Sequence, residues 1–130
     1  MPVDGERPLE LIMRTCDPAL VKVELDLCWA AAAGQDPVAW FKKYPGRFPL
    51  VHVKGLKKIP DGAAQWTVAP PIQQLLPDVA DVGPGPIDWA RIFASAKEAG
   101  IQHYFVEHDQ PALPFDSLAA SAKYLETLRF

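Results

Sequence analysis

The 130-residue chain reads as an α/β protein, one helix followed by three βα units on a parallel sheet. Two observations and one rule of chain connection predict this. The apolar runs VKVELDL, FPLVHVKG and IQHYFVEHD have strand length and recur in step with helix-patterned segments. Helix punctuation stands where those segments need it, with Asp36-Pro37 at a start and Gly100 at a stop. Strands that alternate with helices in this order pair in parallel through right-handed crossovers.

Pro8–Thr15 is expected as a short helix with Leu9, Ile12 and Met13 on one face, and Asp17-Pro18 as the turn after it. In VKVELDL, Val23, Leu25 and Leu27 share one face, while Lys22, Glu24 and Asp26 share the other. A small-residue run over 30–34 leads to a helix opened by Asp36 and Pro37 and stopped at Pro45-Gly46. The second strand puts Val51 and Val53 on one face and Leu50, His52 and Lys54 on the less apolar one.

Residues 55–86 are rich in Pro, Gly and Asp, with an apolar stretch around 72–76 of one or two helical turns. So long a connection within a compact domain is usually functional or poorly ordered, and from its position it would overhang the strand tips. A stronger helix is expected over 87–99, with Ile87, Ile92, Phe93 and Ala96 apolar and Gly100 as its stop. IQHYFVEHD is the third strand. Asp116 or Ser117 then opens a last helix whose core face is marked by Leu118, Tyr124, Leu125 and Leu128.

A hydrophobic content of 49% is enough for one core, and residues 1–130 are expected to form a single domain. The net charge of −3 is interspersed, and no basic run exceeds Lys57-Lys58, so nucleic acid and membrane surfaces are poor partners. The N-terminal stretch lacks an apolar core of signal-peptide length, which makes the cytoplasm the default location. In that compartment Cys16 and Cys28 are expected as free thiols, since no CxxC spacing is present.

The chemistry gathers at the strand ends. In a parallel βα array ligands bind at the carboxyl ends of the strands, and Asp26, His52 and Glu107 all fall there. A carboxylate, an imidazole and a carboxylate suit a divalent ion such as Mn²⁺, Mg²⁺, Co²⁺ or Zn²⁺ with positions left for substrate oxygens. Each residue also has a structural explanation when taken alone: an aspartate caps a loop, a histidine sits hydrogen-bonded in a core, and Glu107 pairs with Lys54. Gly83 and Gly85 in VGPGPIDW are better read as a tight turn than as a phosphate loop.

The runs VELDLCW, AGQDPVAWFKKYPGRFPLVHVKG, DVGPGPIDWARIFASAKEAGIQHYFVEHDQP and SLAASAKYL resemble the C-terminal part of the sugar phosphate isomerase/epimerase family. Its fold is the xylose-isomerase-like TIM barrel. The ordered motifs LDxxW, RxPLxHxK, VGxGxIDW and VExDQ carry the likeness over nearly the whole chain. The resemblance implies a metal bound by Glu, Asp, His and Glu from four successive strands. The last three fall on Asp26, His52 and Glu107. The first has no counterpart in these residues; in the family it precedes a segment like PVDGERPLELI.

In that family two glutamates flank the sugar as acid and base, exchanging the proton on the carbon next to the carbonyl. By this resemblance Glu107 is one of the two and a sugar or sugar phosphate is the substrate; Trp29 is either a substrate contact or a packing residue at the barrel mouth, and Lys54 is a residue able to bind a sugar hydroxyl or phosphate. Two departures stand out. Gly55 takes a place where the family commonly has an acid, and Trp29 one where some epimerases have a sugar-contacting histidine.

Three strands cannot close a barrel, so Glu24, His103 and Phe105 lack the wall they would face. A partial TIM-type barrel of this kind is expected to be completed or covered by self-association, as a homodimer or higher homo-oligomer. Three readings stay open: an enzyme completed by assembly, a non-catalytic remnant or binding module, and a part of a longer enzyme.

Overall fold

The computed structural model describes residues 6–130. The family-like stretch at 2–5 lies outside them. Helix α1 (Pro8–Thr15) has a proline in its first turn, which costs no hydrogen bond there, and it is followed by strand β1 (Glu24–Asp26). Helices α2 (Leu27–Ala32) and α3 (Pro37–Lys43) lead to β2 (Leu50–Val53). A short ribbon strand β3 (Gly55–Leu56), a helical turn α4 (Ile72–Leu75) and ribbon strand β4 (Val79–Ala80) make up the long connection. Then come α5 (Trp89–Ala94), α6 (Ala96–Ala99), β5 (His103–Val106) and α7 (Pro114–Leu125).

The main sheet has the order β1-β2-β5, parallel throughout, with Asp26 beside His52 and His52 beside Phe105. Its three strands form an open sheet and no closed barrel, as the sequence predicts. Leu25, Val51 and Val53 point to one side, where Leu27, Phe41, Phe48, Trp89 and Ile92 bury them. The opposite face holds Glu24, His52, His103 and Phe105, and Phe105 is 44% exposed.

Several boundaries differ from the sequence-based expectation. Only Glu24–Asp26 of VKVELDL pairs as a strand, because Asp26 turns the chain: its side chain accepts the Trp29 backbone N–H and opens α2 one residue later. Cys28 therefore lies in a helix and is fully buried, while Cys16 is half-buried; both are free. The 87–99 helix starts at Trp89, capped by Asp88, and breaks at Ser95, which bridges α5 and α6; Gly100 ends it in the left-handed region at φ 80°.

Helix α7 opens at Pro114, ahead of Asp116, and Leu118 is exposed. The face turned inward is made by Ser117 and Ser121, since it meets backbone and polar groups. Ser121 Oγ accepts the Val82 N–H at 3.0 Å, and Ser117 binds the Asp81 carboxylate. Tyr124, Leu125 and Leu128 do pack against the core.

The β3–β4 pair is antiparallel, Gly55 opposite Ala80 and Leu56 opposite Val79. It explains Gly55. A Cβ there would stand 1.9 Å from the Asp81 carbonyl oxygen, so the acid common at this place in the resembled family does not fit this backbone. At Gly34, with φ 66°, a Cβ would stand 2.4 Å from the Ala64 backbone nitrogen, and this glycine seats the long connection against the α2–α3 turn.

Candidate metal and substrate site

Asp26 closes β1, His52 lies inside β2, and Lys54 and Glu107 stand one residue beyond β2 and β5. Parallel pairing carries all four to one end of the sheet, and the Glu107 N–H extends the ladder to the Val53 carbonyl at 3.1 Å. The candidate ligand atoms of Asp26, His52 and Glu107 lie within 4.8 Å of one another. His52 Nδ1 is 3.4 Å from both Asp26 Oδ2 and Glu107 Oε2.

Asp26 serves two ends at once. Its Oδ1 accepts the Trp29 N–H at 2.9 Å while Oδ2 turns to His52 and Lys54. The capping explanation and the ligand explanation are thus compatible, because a carboxylate has two oxygens.

Lys54 is buried, its Nζ 3.1 Å from Asp26, 2.9 Å from Glu107 and 3.2 Å from Asp109. Burial works against its charge, but the carboxylates of Glu107, Asp26 and Asp109 outweigh it and raise the ammonium's pKa above the ordinary lysine value. The Trp29 ring lies on the same cation, with its centroid 5.8 Å from Nζ.

Sequence reasoning did not single out two of the neighbours. Glu24 Oε1 is 2.9 Å from His52 Nε2, and Asp109 Oδ1 and Oδ2 are 3.2 and 3.4 Å from Lys54 Nζ. Parity places Glu24 on the face of Asp26, but its contact with the His52 ring has no signal in the sequence. Four carboxylates around one lysine and one histidine leave an excess of negative charge, and the donor set is the mixed N/O type that divalent ions take.

An open cleft of about 710 Å³ borders Asp26 and Trp29. Trp40 and Gln35 line it from α3 and its approach, Arg7 from the start of α1, and Trp66 from the long connection. The connection therefore does reach the strand tips, at the β1 side. Gly83 and Gly85 belong to the bends before α5.

No helix among the described residues is long and apolar enough to cross a membrane. No protein-family model and no curated protein matches the chain. Solved structures do. One, a sugar phosphate isomerase/epimerase from Parabacteroides distasonis ATCC 8503, aligns over 95% of this chain and 39% of its own, with TM-score 0.66 and 32% identity. A second from the same organism, also described as a sugar phosphate isomerase/epimerase, aligns over 95% of this chain and 37% of its own. Its TM-score is 0.66 and its identity 24%, which speaks for the fold alone. The chain spans about two-fifths of the length of the structures it matches. Its open three-stranded sheet is a part of their fold.

Proposed function

We propose that the chain carries the metal-binding and part of the substrate-binding machinery of a sugar phosphate isomerase/epimerase, with Asp26, His52 and Glu107 as ligands of a divalent cation. The observation that carries this reading is the convergence of acid, imidazole and acid from three neighbouring parallel strands, within 4.8 Å of one another. The likeness to a sugar phosphate isomerase/epimerase at 32% identity supports membership of that family and a sugar substrate.

The residues fit such an ion. Three donors face one another, and nearby Glu24 and Asp109 add negative charge that Lys54 only partly neutralises. When bound, the cation would polarise the carbonyl and hydroxyl oxygens of a sugar and so acidify the hydroxyl-bearing carbon next to the carbonyl. Glu107, whose side chain is 41% exposed, is positioned to accept that proton and return it. Lys54 holds the Asp26 and Glu107 carboxylates at fixed spacing. Its three ammonium protons are matched by three carboxylates, so a sugar hydroxyl that reached it would replace Asp109 and leave the ligands in place. Trp29 offers an apolar ring beside Asp26 against which a sugar face can pack.

A second proton-transfer group and a fourth ligand would come from outside these residues, either from a second copy laid over the open sheet face or from a further stretch of the same polypeptide. Exposed Phe105 and His103 on that face support such an assembly. One observation favours a second reading, a metal-free binding module: Lys54 already pairs with both Asp26 and Glu107.

The test is solvent exchange. Protein loaded with Mn²⁺ or Zn²⁺ is incubated in deuterated water with a panel of ketoses and their phosphates. Deuterium should enter next to the carbonyl, and Glu107→Gln and His52→Ala should abolish its entry. Stoichiometric metal without exchange across the panel would overturn the enzyme reading and leave a metal-binding module; failure to bind either metal would overturn it and leave the metal-free one.

A further inference from the structure

We propose that Glu24 is a positioning residue for His52, holding the ring so that Nδ1, and not Nε2, faces the metal. This rests on the reading of Asp26, His52 and Glu107 as ligands, and adds a residue and an atom to it.

The two ring nitrogens of His52 have different surroundings. Nδ1 is 3.4 Å from Asp26 Oδ2 and 3.4 Å from Glu107 Oε2, the two carboxylates that converge with it. Nε2 is 2.9 Å from Glu24 Oε1, a hydrogen-bond distance. A neutral imidazole carries one N–H and one lone pair, and a carboxylate can only accept. Glu24 therefore selects the tautomer with hydrogen on Nε2 and leaves the Nδ1 lone pair among Asp26 and Glu107. A partner that fixes the second nitrogen of a ligating histidine also fixes the ring and raises its basicity.

The placement follows from the sheet. Glu24 and Asp26 are two residues apart on β1 and share a face, and the register sets Asp26 beside His52. From Glu24 the carboxylate reaches the ring on the diagonal. On the far side Phe105 presents its ring edge-on, 6.2 Å from the imidazole centroid at 80°, which limits ring rotation. No other charged group is needed to account for the orientation of Glu24.

The test uses protein labelled with ¹⁵N at histidine. His52 signals are assigned by their loss in His52→Gln, and two-bond proton–nitrogen spectra report the tautomer of the neutral ring without metal. Zinc, which is diamagnetic, is then added and its affinity measured by calorimetry. Wild type should show hydrogen on Nε2, and zinc should shift Nδ1. Glu24→Ala should shift the neutral ring toward hydrogen on Nδ1, where Asp26 and Glu107 remain as acceptors, and weaken zinc by roughly tenfold, the low end for such partners because the pair is part-exposed. Glu24→Gln, whose amide oxygen still accepts, should retain most of the wild-type tautomer and affinity.

A wild-type ring with hydrogen on Nδ1, or zinc seated on Nε2, would overturn the proposal, as would unchanged tautomer and affinity in a folded Glu24→Ala. Failure of the metal-site reading looks different. Wild type would then bind no zinc, which also removes the metal clause here, while the metal-free spectrum still reports whether Glu24 sets the tautomer.

Discussion

Lys54 Nζ lies 2.9 Å from Glu107 Oε2, so the acid proposed for proton transfer is ion-paired to a buried ammonium from the neighbouring strand. The same ammonium bridges Asp26 and Asp109. Without it three carboxylates would face one another across the strand ends.

Lys54→Met keeps the bulk and removes that charge. Loss of one partner from a buried ion pair costs several kcal/mol, and less where the remaining acids reach water, so a loss of about 2 kcal/mol is expected. Urea unfolding in a chelator measures it. Zinc should restore more stability to the variant than to wild type, because it replaces the missing positive charge. An unchanged unfolding midpoint in the chelator would contradict the bridging role.

Gly55→Asp tests the ribbon. The new Cβ would meet the Asp81 carbonyl oxygen at 1.9 Å, and backbone cannot yield as a flexible side chain would. A loss of about 3 kcal/mol or more is expected, read as a lower unfolding midpoint or as insoluble protein. A fully stable Gly55→Asp would show that β3 does not pass Asp81 so closely.

Acid sensitivity should arise at Asp81. The hydrogen bond from Ser117 holds its carboxyl below the ordinary 3.8, burial opposes this, and His108, with Nδ1 2.9 Å from Oδ1, adds to the lowering. A folded-state value below the unfolded one means that the stabilisation is present above the unfolded value. It is lost as pH falls through the folded one. Asp81→Asn should therefore be less stable than wild type at pH 7, with the gap closing below about pH 4. Thermal melts at the two pH values check it; a gap that widens in acid would reverse the sign.

Much of this was legible because parallel strands repeat one rule. Period-two alternation assigns Asp26, His52 and Lys54 to the polar face, and their place at strand ends brings them together with Glu107. The β3–β4 ribbon was not legible, since two-residue strands carry no period. Nor was the Ser117–Asp81–His108 contact, which joins residues 36 and 27 positions apart. Leu118 misled for a related reason: the inner face of α7 meets backbone donors, and serines serve there better than leucines.

Cys28 should resist thiol reagents. Burial, with Asp26 adding to it, pushes its thiol up to about 12, and Sγ lies 3.5 Å from the Gly55 carbonyl oxygen. In native protein at pH 8 Cys16 should react first and Cys28 only on unfolding, so a colorimetric thiol count rises from one to two in urea. Equal fast reaction of both would place Cys28 outside the core.

Asp26, His52 and Glu107 are proposed to hold one divalent ion, and calorimetric titration with zinc is the decisive test. Wild type should take up a single ion per chain, with affinity lost in Asp26→Asn, His52→Ala and Glu107→Gln while each variant keeps its fold by circular dichroism. No binding by wild type, or binding indifferent to all three substitutions, would contradict it.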